Sequence, residues 1–269
     1  MKSAKKEKVV ILCGGRGTRI REETEFRPKP MVEIGSRPLL WHIMKIYSFY
    51  GFNNFVLCLG YKGEMIKEYF LNYEILNSDF TIELGGNQKN LTIHDSYHKD
   101  RWKVTLADTG LNAMTGSRVK AIEHYIDTEN FMMTYGDGVA NIDVSRLLEF
   151  HLSHKKIATI TGVRPPSRFG ELITRRDEVT EFSEKPQVGA GYINGGFFIF
   201  TRKVFDYLSR EEGCVLERAP LERLAKDGQL RVFFHDAYWQ CMDTLRDLDI
   251  LEQEWLGGSP PWKVWGEHD

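Results

Sequence analysis

At 269 residues, with 42% apolar and 12% aromatic residues, the chain is long enough to form the core of one α/β domain, alone or with a smaller lobe. Its 36 Lys and Arg against 38 Asp and Glu leave a net charge of −2, which excludes the basic excess typical of non-specific nucleic-acid binders. No apolar run has the length of a signal peptide or a membrane span, and the four cysteines form no CxxC pair, so we expect a cytoplasmic protein with free thiols and no membrane partner.

Apolar runs alternate with helical patterns in the first part of the chain. Residues 9–13 and 55–59 are continuous apolar runs that end at glycines, as expected for strands buried on both faces of a parallel sheet. Pro38 begins a predicted helix with apolar residues on one face up to residue 47, and residues 65–70 show a second helical face. This alternation predicts a doubly wound α/β sheet.

The pattern changes in residues 77–107, where short alternating segments are interrupted by polar residues, and we interpret them as an irregular, partly antiparallel insertion. A buried strand returns at 131–135, and a helix at 144–154 and another strand follow it. Residues 164–200 are rich in strands and turns, and no repeat or Pro/Ser-rich linker interrupts the chain. We therefore predict a single domain over residues 1–269 that contains this insertion and this strand-rich part.

A glycine-rich turn follows the first predicted strand, and it reads Leu12-Cys13-Gly14-Gly15-Arg16-Gly17-Thr18-Arg19. Small residues let backbone N–H groups approach phosphate oxygens closely, and the two arginines favour an anion-binding function. The turn is neither a GxxxxGK[ST] P-loop nor a GxGxxG dinucleotide loop. A tight structural turn would explain the glycines alone equally well.

Lys29 stands between Pro28 and Pro30, on a segment that the two prolines keep stiff and extended. A lysine mounted in this way loses less conformational entropy when its ammonium is fixed on a phosphate. Taken alone, a solvated lysine in a loop explains this fragment at least as well.

Two acids are candidate metal ligands. Asp137 lies at the carboxyl end of a predicted buried strand, where ligands of open parallel sheets bind, and its flanking glycines leave room for Mg²⁺ and a triphosphate. The alternative is an Asp-Gly turn. Asp243 is the second candidate, and its alternative is the N-cap of a helix that begins near Leu245.

Two later segments are candidates for binding an acceptor. Glu184-Lys185-Pro186 again sets a lysine beside a proline, although a surface turn has the same composition. Asn194-Gly195-Gly196 opens an apolar strand, and the Asn194 amide can both donate to and accept from sugar hydroxyls. A β-bulge explains the two glycines equally well.

In this order, these segments resemble the sugar-1-phosphate nucleotidyltransferase family along essentially the whole chain. The family pattern is a GGxGTR loop, a KP segment, a strand-ending Asp, an EKP segment and an N-G-G strand. The resemblance implies a Rossmann-like, doubly wound mixed sheet with a smaller antiparallel insertion and a sugar-binding lobe at about 164–200. It also implies transfer of a nucleoside monophosphate onto a sugar 1-phosphate, with Mg²⁺ as cofactor and release of pyrophosphate.

Within that family the chain is most similar to members that transfer CMP from CTP to α-D-glucose 1-phosphate, whose product feeds deoxysugar synthesis for surface polysaccharide. The telling segments are 29–35, 41–44, 60–63, 108–118, 134–139, 168–170, 242–247 and 261–263. The chain departs from the family pattern at Cys13, where Ala is usual, and at Leu111 and Ala113 in the base-side loop. These loop changes leave the choice of base open.

The resemblance also implies a role for individual residues. Arg19, Lys29 and Asp137 would be catalytic, and Asp137 and Asp243 would bind the metal. The nucleotide would contact the turn and the base-side loop, through Leu12, Cys13, Gly14, Gly15, Arg16, Gly17, Thr18, Arg19, Lys29, Thr109, Gly110, Ala113, Gly116, Arg118 and Gly136. The sugar phosphate would contact Gly170, Glu184, Lys185, Asn194 and Gly195.

Three alternatives remain open from the sequence: the same chemistry with another base or sugar, a regulatory paralogue that binds a nucleotide sugar without turnover, and an NAD-dependent enzyme with a degenerate loop. The absent third glycine disfavours the last of these. The tail residues Trp255, Trp262 and Trp265 are compatible with a subunit contact in a homo-oligomer or with packing on their own domain.

Overall fold

Strands and helices alternate along most of the chain in the computed structural model, which describes residues 5–85, 90–94, 100–164, 171–175, 178–183 and 191–266. The strands are β1 (Val9–Leu12), β2 (Glu33–Ile34), β3 (Arg37–Pro38), β4 (Asn54–Leu59), β5 (Phe80–Glu83), β6 (Asn90–Ile93), β7 (Lys103–Asp108), β8 (Asn130–Tyr135), β9 (Gly138–Ala140), β10 (Ala158–Val163), β11 (Glu171–Arg175), β12 (Glu178–Ser183), β13 (Ile193–Thr201), β14 (Leu230–His235) and β15 (Trp239–Cys241). The α-helices are α1 (Arg21–Thr24), α2 (Leu39–Phe49), α3 (Gly63–Leu71), α4 (Tyr73–Leu76), α5 (Thr115–Ala121), α6 (Val144–His154), α7 (Ala219–Lys226) and α8 (Leu245–Leu256).

The central sheet has seven strands in the order β14-β10-β13-β8-β1-β4-β7. Strand β1 pairs in parallel with β4 and β8, and β7 continues the parallel set beyond β4. Strand β13 runs antiparallel to β8 and β10, so the sheet is mixed. The predicted doubly wound mixed sheet is therefore confirmed, and the carboxyl ends of β1, β4, β7 and β8 lie along one edge.

The continuous apolar run of β1 is explained by its position in the middle of this sheet. Val9 and Ile11 belong to the core on one face, and Val10 and Leu12 belong to the core on the other face. Because helices cover both faces of the sheet, neither side of the strand is exposed to solvent, and both carry apolar residues.

The predicted insertion differs from the structure at its carboxyl end. Strands β5 and β6 form an antiparallel pair outside the central sheet, as predicted. However, β7 pairs with β4 in the central sheet, so residues 103–107 do not belong to the insertion. Strand β7 is an edge strand whose residues are mostly exposed or half-buried, which is why its sequence lacks the apolar run of a central strand.

The tryptophan-rich tail packs on its own domain, as one of the two alternatives for these residues predicts. His42 on α2 is fully buried and is surrounded by an aromatic cage of Trp41, Trp255, Trp262 and Trp265. Its Nε2–H donates to the Ile34 carbonyl oxygen at 3.1 Å, and Trp262 Nε1–H donates to its Nδ1 at 3.4 Å. Burial lowers the pKa of His42 to about 4, so its ring is neutral.

Within the described ranges, no helix has the combination of length and apolarity needed to cross a membrane.

Candidate active site

The glycine-rich turn leaves β1 at the carboxyl edge of the sheet. Gly17 has φ +61°, a left-handed conformation that favours glycine, and a 3₁₀ turn over Thr18–Ile20 follows it. A Cβ atom on Gly14 would lie 2.2 Å from the Arg118 guanidinium, whereas one on Gly15 would have no atom within 4 Å. The turn therefore needs glycine for its backbone conformation and for close approach to a side chain.

Arg118 lies beneath the turn and is 4% exposed. Its guanidinium joins the glycine-rich turn to the loop after β7, because its two terminal nitrogens donate to four backbone carbonyls and one hydroxyl. The acceptors are the carbonyl oxygens of Gly14 (3.0 Å), Leu59 (2.9 Å), Gly110 (2.7 Å) and Leu111 (3.4 Å) and the hydroxyl oxygen of Thr109 (2.9 Å). The predicted contact of Arg118 with nucleotide stays a prediction, and what the structure adds is that Arg118 supports both loops.

Lys29, Asp137 and Asp243 come together at one point of the same edge. Lys29 Nζ donates to Asp137 Oδ2 at 2.8 Å and to Asp243 Oδ1 at 2.6 Å. Arg19 Nη1 donates to Asp243 Oδ2 at 2.5 Å. Four charged residues that the sequence analysis selected from segments far apart in the chain thus form one cluster, with the two cations balancing the two acids.

Different elements deliver these side chains. Lys29 begins a 3₁₀ turn over Lys29–Met31, directly after the extended residue Pro28. Asp137 lies in the tight turn between β8 and β9. Strand β15 pairs with β9, and Met242 N–H donates to the Asp137 carbonyl oxygen at 2.8 Å, which brings Asp243 beside Asp137.

The Lys29 ammonium is stabilised in its charged form. Burial acts to lower the pKa of Lys29, but the charges of Asp137 and Asp243 and the hydrogen bonds to them outweigh burial, so the pKa is raised. Lys29 is 8% exposed, so solvent screens these interactions little. Lys29 thus keeps its positive charge beside the glycine-rich turn.

The helix that follows Asp243 is capped by another residue. Thr244 is the N-cap of α8, and Thr244 and Asp247 form a capping box in which each side chain binds the backbone of the other. The alternative that Asp243 serves as this N-cap is therefore wrong, and both of its carboxylate oxygens face the cluster.

A cleft of about 360 Å³ opens between the turn, the start of α5 and the end of β8. Most of the residues predicted to bind the nucleotide line it. These residues are Leu12, Cys13, Gly14, Gly15, Arg16, Gly17, Thr18, Arg19, Lys29, Ala113, Arg118 and Gly136, and the predicted metal ligand Asp137 lines the cleft as well.

A larger cavity of about 490 Å³ lies at the opposite edge of the sheet, near the start of β8 and β10. Among the described residues, none of the predicted site residues lines it. The charged cluster therefore identifies the smaller cleft as the candidate active site.

Gly116, also predicted to bind nucleotide, has a packing function in the structure. Its N–H donates to the Cys214 carbonyl oxygen at 2.9 Å, and a Cβ atom there would lie 2.7 Å from Cys214 Sγ. Glycine at this position lets the segment before α7 pack directly on the start of α5.

The acceptor side is described in part. Asn194 Nδ2 donates to the Tyr135 hydroxyl at 3.0 Å, and Asn194 Oδ1 accepts from Gly196 N–H at 2.9 Å. The pairing of β10 with β13 shifts register next to these residues, so the bulge considered for the glycines is present. Gly195 lies in the same strand, and its carbonyl oxygen accepts from Trp239 Nε1 at 2.8 Å. Gly170, Glu184 and Lys185 lie outside the described residues.

Sequence reasoning missed one carboxylate next to the cleft. Glu217 accepts hydrogen bonds from the hydroxyls of Tyr135 and Thr115, and both of these residues line the cleft. The three residues lie far apart in the sequence and no local motif surrounds Glu217, so no sequence pattern marks it.

Comparison with known proteins extends the geometric result. The family model described as Nucleotidyl transferase matches residues 8–249. The chain is 48% identical over 261 residues to the glucose-1-phosphate cytidylyltransferase of Salmonella typhimurium, which covers 96% of this chain and 99% of the relative. It is 44% identical over 258 residues to the probable glucose-1-phosphate cytidylyltransferase of Bacillus subtilis, which covers 96% and 100%. The solved structure of HddC from Yersinia pseudotuberculosis has the same fold, with a TM-score of 0.64 and 24% identity over 93% of this chain and 100% of that one.

Proposed function

The chain belongs to the nucleotidyl transferase family, and on that premise we propose that it transfers CMP from CTP to α-D-glucose 1-phosphate, giving CDP-glucose and pyrophosphate. Relatives named as glucose-1-phosphate cytidylyltransferases, 48% and 44% identical over nearly their whole length, support both the reaction and the substrates. The observation that carries the proposal is the convergence of Lys29, Asp137 and Asp243 beside the glycine-rich turn.

The reaction joins two anions. A phosphate oxygen of the sugar 1-phosphate attacks the α-phosphorus of CTP, the new O–P bond forms, and the bond to the β-phosphate breaks as pyrophosphate leaves. Because the attacking oxygen is already ionised, no strong general base is required. The site has to align the reactants and stabilise negative charge, which are the main contributions in phosphoryl-type transfer.

The residues of the cleft suit these two tasks. The glycine-rich turn exposes backbone N–H groups to the triphosphate, and Arg19 and Lys29 supply positive charge at the reacting phosphate. Arg118, by joining both loops, keeps the cleft in shape. The sugar phosphate is proposed to contact Asn194 and Gly195 together with Gly170, Glu184 and Lys185, of which the last three lie outside the described residues.

The two acids fit a divalent metal. Mg²⁺ in nucleotide enzymes is bound by one or two carboxylates and completed by substrate phosphates and water. Asp137 and Asp243 already share one cation, the Lys29 ammonium. In the described part of the chain no group of three or more His, Cys, Asp or Glu forms a complete protein site. We propose that these two residues bind Mg²⁺, which would neutralise charge on the phosphates.

The proposal extends to the setting of the reaction. We propose that its partners are small phosphorylated molecules and that it works in the cytoplasm, where CTP is available. A homo-oligomer stays a proposal as well, to be tested by the mass of the protein in solution.

The decisive experiment measures pyrophosphate release by the purified chain with a panel of nucleoside triphosphates and sugar 1-phosphates. We expect CTP with glucose 1-phosphate to give the highest kcat/KM, although Leu111 and Ala113 make the base the first property to check. Turnover only with another pair would reassign the substrates. Binding of CDP-glucose without any pyrophosphate release would favour the regulatory paralogue.

A variant tests the assignment of the acids. Asp137→Ala should abolish turnover and leave the circular dichroism spectrum unchanged. Retained activity in this variant would refute the metal assignment.

A further inference from the structure

Glu217 lies behind the wall of the cleft and contacts it through two hydroxyl groups. Thr115 Oγ1 donates to Glu217 Oε2 at 2.6 Å, and the Tyr135 hydroxyl donates to Glu217 Oε1 at 2.5 Å. Thr115 and Tyr135 line the cleft, whereas Glu217 does not. The carboxylate therefore acts on the cleft only through these two side chains.

The segment that carries Glu217 is attached firmly to α5. Met114 N–H donates to the Glu212 carbonyl oxygen at 2.8 Å, and Gly116 N–H donates to that of Cys214 at 2.9 Å. Leu216 N–H donates to Thr115 Oγ1 at 2.9 Å. Because the backbone is held at several points, the position of the carboxylate is well defined.

A chain of hydrogen bonds runs from this carboxylate to the acceptor side. An ionised carboxylate only accepts hydrogen bonds, so the Tyr135 hydroxyl must donate to Glu217. The phenol oxygen is then left to accept from Asn194 Nδ2, at 3.0 Å. Burial and the nearby charge of Glu217 both raise the pKa of Tyr135, so the phenol keeps the proton that it donates.

At the Asn194 end of this series of hydrogen bonds, the direction of donation is fixed as well. Asn194 Oδ1 accepts from Gly196 N–H at 2.9 Å, and Gly196 has φ +80° with its backbone against the Tyr135 ring. A flipped Asn194 amide would place its NH₂ group against this N–H and its oxygen against the Tyr135 oxygen. The amide thus has one orientation, with one N–H and one lone pair left for a ligand.

We propose that Glu217 is a positioning residue for the sugar 1-phosphate, because it sets the direction of the hydrogen bonds that orient the Asn194 amide. This inference rests on the proposed function and deepens it, since it assigns to the acceptor half of the site a residue that never touches the substrate. Glu217 has no ion-pair partner among the described residues. Its carboxylate is instead stabilised by the hydrogen bonds from the two hydroxyl groups.

The test compares Glu217→Ala, Glu217→Gln and Tyr135→Phe in steady-state kinetics with CTP and glucose 1-phosphate. Glu217→Ala and Tyr135→Phe should each raise KM for glucose 1-phosphate about threefold to tenfold, the range expected when one hydrogen bond is lost. KM for CTP should change by less than about threefold. Glu217→Gln keeps one acceptor oxygen for Tyr135 and should restore most of the affinity.

A double variant separates positioning from general stability. Glu217→Ala combined with Tyr135→Phe should be no worse than either single change, because both interrupt the same chain. Glu212→Gln, on the exposed surface of the same segment, is the matched control and should leave both KM values unchanged.

Three results would overturn the inference: an unchanged KM for glucose 1-phosphate in Glu217→Ala, an equal rise of both KM values with a lower Tm, or additive effects in the double variant. If Glu217→Ala does not fold, Tyr135→Phe alone must still raise KM for glucose 1-phosphate. Absence of pyrophosphate release by the unmodified chain refutes the proposed function itself, whereas normal turnover with an unchanged KM in the variants refutes only the role of Glu217.

Discussion

Acidification is expected to destabilise the protein through His42. The ring is neutral in the folded chain, where burial lowers its pKa from 6.5 to about 4. The unfolded chain binds the proton at the ordinary pKa, so acid favours unfolding. The stabilisation is therefore fully present above pH 6.5 and is lost as the pH falls through 4.

The size of this effect follows from the two pKa values. At about 1.4 kcal/mol per pKa unit, the change from 6.5 to about 4 corresponds to a loss of about 3 kcal/mol. Typical domains have a free energy of unfolding of about 5–15 kcal/mol, so this loss is a large part of the total. Between pH 6 and 4.5 the unfolded chain binds about one more proton at His42 than the folded chain. The free energy of unfolding therefore falls by about 1.4 kcal/mol per pH unit of acidification.

Urea unfolding followed by tryptophan fluorescence measures the effect directly, since the aromatic cage contains four of the six tryptophans. The unmodified chain is compared with His42→Gln, whose amide still donates to the Ile34 carbonyl but does not titrate. In the variant, the slope of the free energy of unfolding against pH should be smaller by the contribution of about one proton. His124→Gln, on the surface, should keep it. If the free energy of unfolding of the unmodified chain and of His42→Gln changed equally between pH 6.5 and 4, the reasoning would be refuted.

The aromatic cage also packs against the segment that follows the Lys29 turn. Catalytic activity should therefore be lost when the cage unfolds. Trp255 packs against Gly35, and Gly35 N–H donates to Glu252 Oε1 at 3.1 Å. Gly35 follows shortly after the turn that carries Lys29. Loss of turnover on acidification should therefore coincide with the change in tryptophan fluorescence.

Two further predictions concern the cleft itself. Lys29→Met should lower kcat/KM in the pyrophosphate assay by about 10²–10³-fold, as removal of one charge-stabilising group usually does. Lys226→Met, on the surface of α7, should not change it, and an equally active Lys29→Met would contradict the role of the ammonium. Gly14→Ala should lower the free energy of unfolding by about 1–3 kcal/mol, because its Cβ meets the guanidinium beneath the turn. Gly15→Ala has free space at this position and should melt like the unmodified chain, so equal melting of the two variants would show that the turn is not tightly packed.

Local patterns were sufficient to predict the central fold and the turn. Buried strands in a parallel sheet are apolar on both faces, so β1 and β4 are visible as uninterrupted runs. Their loops emerge at the carboxyl edge, and the residues selected from the turn after β1 line one cleft. The edge strand β7 was misassigned because its outer side faces solvent and its sequence resembles a polar insertion.

The sequence by itself determined which chemical groups are available: a glycine-rich turn, a lysine between prolines, and acids at strand ends. Only the tertiary structure decided which of them meet, since the β9–β15 pairing brings Asp243 to Asp137 and the packing of residues 212–217 on α5 brings Glu217 to Tyr135. It also decided that the tryptophan tail covers His42. Propensity and spacing act over a few neighbouring residues, whereas these contacts join residues 102 to 220 positions apart through the packing of whole elements.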